Sequence, residues 1–473
     1  MFYINRFLVA LVLIMVISSC HEDIDDNINP SSTAEINDFV WKAMNVFYLY
    51  KSDISDLADD RFSTDQDYTE YLNSFDSPET LFNSVLRDDD RFSVIVSDFR
   101  ALENSIDGIS LDSGMRFGLV LIESSGDVFG YVRYVVDSSP ADNQGVERGM
   151  LFNRINGEVF TENTNFGELL SQESFTIGLA NLNGNSVESL DQTIDLTQVE
   201  ITENPIHTTN LIDLGNQKVG YLMYTSFIDN NVNELNSVFG QFAAENVTDL
   251  VVDLRYNSGG NISTAEDLAS MITGQFNGEL FATQEFNSNF DDQEILFDNQ
   301  TSSGNNINSL NLNQVYIITT SSTASASELV INALTPYIDV VQIGTTTTGK
   351  FQGSITVYDS EDFRRENANP NHKYALQPLV LRTVNANGFT DFVNGLEPDI
   401  EQSENFADLG QLGQPDEPLL STALNIIGNG RTTPIDRNFD YEILGESQMN
   451  SPNFQRMYIN ESSISPQMPL LSK

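Results

Sequence analysis

Ser325, a serine that follows a short strand pattern, is the first candidate for chemistry in this chain. Residues 314–320 (QVYIITT) predict a strand, and residues 325–334 (SASELVINAL) predict a helix that begins at this serine. A serine in that place has its hydroxyl at the positive end of the helix dipole, beside N–H groups that can receive an oxyanion. The run from Ser325 to Glu328 also fits a capping box, S-x-x-E, so a purely structural role stays open.

A lysine that lies 25 residues further on, Lys350, is the candidate partner of this serine. Between the two, the pattern predicts the helix and then a strand over 338–344, so both residues reach the same edge of a parallel sheet. Residues 257–260 (NSGG) follow another predicted strand, and glycines there let backbone N–H groups approach a ligand. A neutral lysine can take the proton of a serine hydroxyl, which makes the serine a nucleophile.

This chemistry requires a lysine whose pKa lies far below the ~10.4 of a free side chain. Burial lowers the pKa of a lysine, whereas the net charge of −47 on this chain raises it. We therefore expect Lys350, one of six lysines, to be buried away from the acidic surface if it is a base.

Composition limits the possible functions. The chain has 473 residues, enough for two to four domains at roughly 150 residues each, and it contains 22 Lys+Arg against 69 Asp+Glu. Such an acidic surface repels phosphate backbones, so we predict no nucleic-acid partner.

Several familiar catalytic and binding motifs are absent. Only three histidines occur and HExxH is missing, so a metal site built from His and Cys is not expected. The chain has neither a GxSxG nor an SxxK motif. Residues 344–350 (GTTTTGK) fit the start of a P-loop, but Phe351 stands where a Ser or Thr should bind Mg²⁺, and a strand pattern follows. We predict no metal, no cofactor and no nucleotide.

The N-terminus has the pattern of a secretory signal. A positively charged start precedes residues 7–17, an apolar run of 11 residues that is too short to span a bilayer. Residues 17–20 (ISSC) resemble a bacterial lipobox, in which Cys20, the single cysteine, becomes the lipidated first residue of the mature chain. We predict an exported lipoprotein of the bacterial cell envelope, on the periplasmic face of the outer membrane or on the cell surface, attached only by its lipid.

The rest of the chain changes its pattern twice. Apolar residues at helical spacing come first, then short strands with Gly and Asn-Gly turns, and then alternating strands and helices that indicate a mostly parallel sheet. The Asn-rich insertion over 275–312 is expected to be looped, and the polar end of the chain to be loosely ordered. The predicted parts are a signal peptide (1–19), a lipidated tether (20–33), a helical cap (34–105), a β domain (106–204), a core (205–430) and a polar tail (431–473).

The β domain resembles a PDZ domain over residues 138–160, with a short helix after Ser-Pro-Ala, a turn at Gly149 and a strand that ends in Ile-Asn-Gly. The resemblance implies that the domain binds the chain end of a ligand as an added strand, with the carboxylate held by the loop at Phe117 and Gly118. A small β domain that only packs is the alternative interpretation.

The whole arrangement resembles the C-terminal processing peptidases, or tail-specific proteases, which use a Ser/Lys dyad. The likeness covers most of the chain, with the motifs D-L-R-x-N-x-G-G, S-A-S-E and G-K in the expected order. It implies a nucleophile, Ser325, a general base, Lys350, and an oxyanion hole formed by N–H groups of Ala326 and of Gly259 or Gly260.

Two supporting positions follow from the same resemblance. Glu328 is expected to cap the helix and orient the turn. Many family members carry Gln four residues after the lysine, where this chain has Ser354, and Gln352 lies two residues after the lysine, so the third member of the site stays open. The implied fold class is multidomain α+β and α/β, with a helical N-terminal cap, a PDZ-like β domain and a ClpP/crotonase-like α/β core.

The predicted function is an exported serine endopeptidase that cuts unfolded proteins, or proteins with accessible C-termini, through an acyl-enzyme. The alternative is a catalytically silent relative that binds peptides or envelope proteins as a scaffold. Another α/β enzyme, for instance one transferring acyl groups of small thioesters, is disfavoured by export and by the PDZ-like module.

Overall fold

The computed structural model describes residues 31–430 and 441–460. The predicted signal peptide, Cys20 and most of the predicted tether lie outside these residues and stay predictions. Within the described part, every helix is too short or too polar to span a bilayer.

The N-terminal part is helical, as the apolar spacing predicts. Its helices are α1 (Thr33–Phe47), α2 (Asp65–Asn73) and α3 (Pro78–Ser84). The Ser32 hydroxyl accepts the Glu35 N–H and the Glu35 carboxylate accepts the Ser32 N–H, and this capping box fixes where α1 begins. Sequence reasoning did not find α2, because it buries only Leu72 and therefore has no apolar stripe.

A β domain follows, and its strands form an antiparallel sheet. The elements of this region are β1 (Val94–Val96), α4 (Phe99–Ile106), β2 (Ile109–Asp112), β3 (Met115–Ile122), β4 (Asp127–Val135), α5 (Pro140–Asn143), β5 (Leu151–Ile155), β6 (Glu158–Val159), α6 (Phe166–Leu170), β7 (Ser174–Asn183), β8 (Ser186–Thr197) and β9 (Val199–Thr202). The sheet has the order β3-β4-β5-β7-β8 with β6 beside β5, while β2 and β9 form a separate ribbon. Strand β3 is buried on both faces, because Phe117 and Leu119 pack into one apolar cluster and Val120 into another.

The core contains two six-stranded sheets. The elements of the core are β10 (Ile206–Asp213), β11 (Lys218–Tyr224), α7 (Val232–Ala244), β12 (Asp249–Asp253), β13 (Gly260–Asn261), α8 (Ile262–Thr273), β14 (Leu280–Phe286), β15 (Gln293–Leu296), β16 (Gln314–Thr319), α9 (Ala326–Leu334), β17 (Asp339–Gly344), β18 (Gln352–Ser354), β19 (Val357–Tyr358), β20 (Ala375–Gln377), β21 (Leu379–Val384), β22 (Ile400–Glu401), α10 (Pro418–Asn429) and, after β23 (Tyr441–Glu446), which joins the sheet of the β domain, β24 (Met457–Tyr458). The first sheet has the order β10-β11-β12-β16-β17-β22 and the second β13-β24-β18-β21-β14-β15, while β1, β20 and β19 form a smaller sheet.

The first sheet is parallel except for its edge strand β10, which confirms the predicted architecture. Side chains alternate between its two faces, as strand geometry requires. Leu250 and Val252 pack with α7, α8 and α9, whereas Val251 between them packs with α10 on the opposite face. The sheet is therefore covered on both sides, and its strand ends are left to carry loops.

Two expectations about irregular regions are wrong for the residues that the structure describes, 275–312 and 441–460, while residues 431–440 and 461–473 of the polar end lie outside them. The insertion over 275–312 contains the hairpin of β14 and β15, which pairs with β21 and so joins the second sheet. The polar end of the chain contains β23, which pairs with β3, and β24, which lies between β13 and β18. Both regions are too polar to show an apolar periodicity, and backbone pairing with distant strands gives them their order.

A buried ion cluster fixes the loop that follows β12. Arg255 is fully buried and donates to Asp253 at 2.8 Å, and to Glu417 at 2.6 Å. A further bond of 3.2 Å reaches Glu404. Glu417 caps α10, so the cluster ties that helix to the end of β12.

Replacing Arg255 with methionine is expected to lower the free energy of unfolding by about 3–5 kcal/mol, because the substitution leaves buried carboxylates without their counter-charge. The matched control is Arg382→Met, since the half-exposed Arg382 pairs with Glu285 at 2.6 Å and with Asp391 at 3.3 Å, and such surface pairs contribute less than about 1 kcal/mol each. Urea unfolding measures both. Equal losses in the two variants would show that the buried cluster has no special role.

Candidate active site

Three loops meet at one edge of the parallel sheet. Strands β12, β16 and β17 are neighbours, and the loops at their carboxyl ends carry Gly259, Ser325 and Lys350 in turn. Backbone bonds join these loops, from the Ala324 N–H to the carbonyl of Asn257 at 3.1 Å, and from the Thr348 N–H to the carbonyl of Thr323 at 2.9 Å. The three loops that follow β12, β16 and β17 therefore lie together at one edge of the sheet, where the sequence places them.

Ser325 lies on a strained turn. Its φ of 68° and ψ of −117° place a non-glycine residue in the left-handed half of backbone space. The side chain is fully buried, and its Oγ makes no hydrogen bond with any residue that the structure describes. A strained strand-to-helix turn with an unengaged hydroxyl is the geometry that a nucleophile needs, while the Ser325 N–H donates to Glu328 as in a capping box.

The glycines beside this serine are required by close contacts. Gly259 and Gly260 have φ values of 114° and 138°. A Cβ on Gly259 would lie 2.6 Å from the Cβ of Ser325, and one on Gly260 would lie 2.2 Å from the carbonyl oxygen of Phe227. Only glycine lets the backbone come this close to the hydroxyl.

The three candidate oxyanion donors differ in their present partners. The Gly259 N–H donates to Oδ1 of Asn257 at 2.9 Å, and the Gly260 N–H donates to the carbonyl of Arg456 at 2.7 Å. The Ala326 N–H, at the first position of α9, makes no hydrogen bond within residues 31–430 and 441–460. Among the described residues, Ala326 thus presents an unengaged donor beside Ser325, whereas the N–H groups of Gly259 and Gly260 are already occupied.

Lys350 is fully buried, as a base role requires. Its Nζ lies 5.1 Å from the centroid of the Phe92 ring and donates to the carbonyl of Gln455 at 2.8 Å. It forms no ion pair with any carboxylate of the described chain. Burial, aided by the nearby Arg456 guanidinium, holds the pKa of Lys350 well below its usual value, and the opposing effects of Asp90 and Glu328 are smaller.

Glu328 holds the two loops together. One of its carboxylate oxygens accepts the N–H groups of Ser325 at 2.7 Å and of Lys350 at 2.9 Å. The other accepts the Gly349 N–H at 2.6 Å and the Thr347 hydroxyl at 2.5 Å. Burial raises the pKa of Glu328, although each of these donors lowers it. The side chain is a positioning residue, because it fixes the backbone of both candidate catalytic residues.

Replacing Glu328 with glutamine is expected to lower kcat by about 10- to 100-fold and the free energy of unfolding by about 1–3 kcal/mol, because the amide NH₂ faces donors that lose their acceptor. The matched control is Glu35→Gln, which changes the exposed capping box of α1, where Glu35 accepts the Ser32 N–H at 2.7 Å. The control should lose less than about 1 kcal/mol and keep full kcat. If both variants lose the same free energy of unfolding and keep their kcat, Glu328 only caps the helix and does not position the catalytic residues.

In the described structure, the side chains of the two candidates for a third member, Gln352 and Ser354, form no hydrogen bond with Ser325 or Lys350. Nε2 of Gln352 donates to the Tyr50 hydroxyl of the helical cap at 3.0 Å. The Gln352 Oε1 and the Ser354 Oγ are buried and have no hydrogen-bond partner in the part of the chain described here. The third position therefore stays a prediction.

The predicted ligand edge of the β domain is already paired. The Phe117 side chain packs edge-on against Phe152 in the domain core, and a Cβ on Gly118 would lie 2.4 Å from the Tyr131 ring. The backbone of Phe117 accepts the Ser447 N–H at 3.0 Å and donates to the Ser447 hydroxyl at 3.3 Å. The chain's own C-terminal part thus lies where a ligand was expected.

Some residues of the site were not identified from the sequence. Asn257 stands inside a motif that was recognised, but its side-chain contact with Gly259 could not be foreseen. Gln455 and Arg456 lie more than 100 positions from Lys350, and no local pattern marks them. Burial lowers the pKa of Arg456 to about 10. Within the described ranges, no cluster of His, Cys, Asp or Glu is arranged to hold a metal ion.

Comparison with known families agrees with this geometry. The model of peptidase family S41 matches residues 218–402, and the model of the S41 N-terminal domain matches residues 35–94, so the two cover about half of the chain. These matches define the class, the serine-type peptidases. The chain belongs to peptidase family S41, and the resemblance to C-terminal processing peptidases is confirmed.

Two curated relatives are named as C-terminal processing peptidases. The chain is 25% identical over 235 residues to the chloroplastic C-terminal processing peptidase of Tetradesmus obliquus, covering 47% of this chain and 48% of that protein. It is 26% identical over 258 residues to the chloroplastic carboxyl-terminal-processing peptidase 3 of Arabidopsis thaliana. This match covers 51% of this chain and 45% of that protein. The chain spans about half the length of the curated relatives it matches.

Solved structures extend the likeness to most of the chain. An S41 protease from Bacteroides fragilis superposes with a TM-score of 0.65 at 25% identity, covering 83% of this chain and 97% of its own. The photosystem II D1 C-terminal processing protease superposes with a TM-score of 0.50 at 17% identity, covering 84% and 98%. The predicted fold class, with a helical N-terminal part and a mixed α/β core, is confirmed.

Proposed function

We propose that this chain is an exported, lipid-anchored serine endopeptidase that cuts unfolded or tail-exposed proteins with a dyad of Ser325 and Lys350. The observation that carries the proposal is the complete burial of Lys350, which pairs with no carboxylate among the described residues. Because burial outweighs the acidic surface, the amine can be neutral where a free lysine is charged. A neutral amine beside an unengaged hydroxyl is what nucleophilic catalysis requires.

In the first half-reaction, Ser325 Oγ attacks the carbonyl carbon of the substrate peptide bond, and the amine of Lys350 takes the hydroxyl proton. The negative charge that develops on the carbonyl oxygen is stabilised by backbone N–H groups, Ala326 first and then Gly259 or Gly260. The C–N bond breaks, and Lys350 gives its proton to the leaving amine. The acyl group stays on Ser325 as an ester.

In the second half-reaction, a water molecule attacks the ester carbonyl while Lys350 takes one of its protons. The C–O bond to Ser325 breaks, and the proton returns from Lys350 to Oγ. A carboxylic acid leaves, and the amine is neutral again. Glu328 acts throughout by holding the backbone of both residues in place.

The β domain is proposed to admit substrates by their chain ends. A strand edge can take a peptide through main-chain hydrogen bonds, and a substrate would form such bonds with Phe117 and Gly118 on β3 in place of the chain's own residues 441–447. Cys20 is proposed to carry the lipid that attaches the enzyme to the cell envelope.

The test uses the chain from residue 21 onward, an unfolded protein with an apolar C-terminus, and the same protein ending in two aspartates. We expect the unaltered chain to cut the apolar-tailed protein faster, and Ser325→Ala to leave both intact, as followed by mass spectrometry of the fragments. Equal cutting by Ser325→Ala would contradict the proposed nucleophile.

A catalytically silent, peptide-binding protein is the second candidate. One observation favours it: Lys350 Nζ donates to Gln455 and not to Ser325 Oγ. The same experiment separates the two candidates, since a silent protein binds the apolar tail but releases it uncut from every variant.

A further inference from the structure

The C-terminal strap, residues 441–460, connects the β domain to the candidate active site. At its start, β23 pairs antiparallel with β3, with Tyr441 opposite Ile122 and Glu446 opposite Gly118. The strap therefore runs toward the Phe117–Gly118 position, the direction in which a ligand of this edge would run.

A carboxylate lies at the end of that strand. The guanidinium of Arg133, a buried side chain of β4, donates to the Glu446 carboxylate. A chain end bound at this edge would bring its own carboxylate to the same position, so Glu446 stands in for the terminal group of a ligand.

The other end of the strap lies in the candidate active site. The carbonyl of Arg456 accepts the Gly260 N–H at 2.7 Å, and the Ile459 N–H donates to the carbonyl of Ser354 at 3.1 Å. Strand β24 is thereby held in parallel pairing between β13 and β18. The Gln455 carbonyl accepts the amine of Lys350. One candidate oxyanion donor and the candidate base are thus both engaged by the strap.

We propose that the C-terminal strap lies along the peptide path of this enzyme and keeps it closed, so that a substrate must displace the strap before it is cut. The substrate is then an extended, unfolded polypeptide that takes the same two places, antiparallel on β3 and between β13 and β18. This inference rests on the proposed function.

The strap carries features that favour its release. Arg456 is buried and forms no ion pair with any described carboxylate, and its Nε reaches only the Pro452 carbonyl, at 3.3 Å. An uncompensated buried charge is costly. Gln455 adds a left-handed φ of 51°. The bonds from the strap to Gly260, Ser354 and Lys350 use its backbone groups, which an incoming polypeptide can replace, whereas its Met457 and Ile459 side chains pack into the apolar core.

A reversible lock tests the proposal. The hydroxyls of Ser451 in the strap and Ser105 in α4 lie 2.7 Å apart, close enough for a disulfide between Ser105→Cys and Ser451→Cys. Cys20 is the only natural cysteine, and the chain from residue 21 lacks it, so no competing thiol is present. Two readouts are taken in oxidised and reduced buffer: cutting of an apolar-tailed unfolded protein, and binding of a fluorescent peptide with an apolar C-terminus.

We expect the oxidised lock to cut at least about tenfold more slowly than the reduced lock and to bind the peptide correspondingly more weakly, because the path stays filled. The reduced lock should cut and bind like the unaltered chain. The single variant Ser105→Cys should cut and bind equally in oxidised and reduced buffer. Equal cutting and equal peptide binding by the oxidised and reduced locks would overturn the proposal and make the strap a fixed strand.

A second variant acts in the opposite direction. Glu446→Gln removes the partner of Arg133 and should raise kcat/KM by about 3- to 10-fold, whereas Glu442→Gln, on the exposed side of β23, should not. No gain from Glu446→Gln over Glu442→Gln would contradict the proposal. If no form cuts anything while peptide binding still follows the lock, the proposed catalysis fails and the strap inference stands.

Discussion

Replacing Ser325 with alanine is expected to lower kcat/KM by about 10⁴- to 10⁶-fold, because it removes the proposed nucleophile. The same change raises the free energy of unfolding by about 1 kcal/mol, because it removes a buried hydroxyl that has no hydrogen-bond partner in the described chain. Activity and stability therefore move in opposite directions. Steady-state kinetics and urea unfolding of one protein sample measure both.

The matched control lies two residues further on. The hydroxyl of Ser327 is equally buried but donates to the Asn257 carbonyl at 3.1 Å. Ser327→Ala should therefore lower the free energy of unfolding and reduce kcat/KM by less than about tenfold. The assignment of Ser325 fails if both serines give the same change in stability and keep their activity.

Replacing Lys350 with methionine is expected to lower kcat/KM by about 10³- to 10⁵-fold, since it removes the proposed acceptor of the Ser325 proton, and the nearby Glu328 carboxylate is already occupied by four donors. Methionine fills a similar volume without an amine, so the fold should become more stable. In the unaltered enzyme, kcat/KM should rise with pH through the pKa of Lys350, which burial holds well below the usual value for lysine.

The sign of the stability effect follows from proton binding. A pKa that is lower in the fold than in the unfolded chain means that the unfolded chain binds the extra proton. The stability gain of Lys350→Met is therefore smallest above ~10.4, and it grows as the pH falls toward the pKa in the fold. Lys218→Met is the control, because Lys218 is exposed and should show neither effect. A rise in activity only near the pKa of a free lysine would rule out the proposed base.

The edge that carries the site was predictable from local patterns. Strand and helix alternation around Ser325 and Lys350 implied parallel neighbours, and the carboxyl ends of parallel strands lie at one edge. Residues 257–260 were placed at that edge by the same rule. The local strand and helix patterns were sufficient to place these loops, because each loop directly follows a strand that the sequence predicts.

The backbone strain at Ser325 and the hydrogen bonds around Ser325 and Lys350 could not be predicted, because they depend on contacts between distant parts of the chain. The strained φ of Ser325 follows from packing around the turn, and the serine itself also fitted a cap. The four bonds to Glu328 join loops that are about 20 residues apart. The sequence predicted a loosely ordered strap. This prediction missed β24, because the strands that pair with it lie more than 100 residues away and leave no local pattern in the sequence.

The central claim is that a neutral Lys350 makes Ser325 nucleophilic, and reaction with a fluorophosphonate tests it most directly. The rate of labelling is measured from about pH 5 to about pH 10 in the unaltered chain and in Lys350→Met, with peptide mapping of the label. We predict a label on Ser325 alone, with a rate that rises through one ionisation well below that of a free lysine and that is lost in Lys350→Met. Labelling of another serine, or an equal rate in Lys350→Met, would contradict the account.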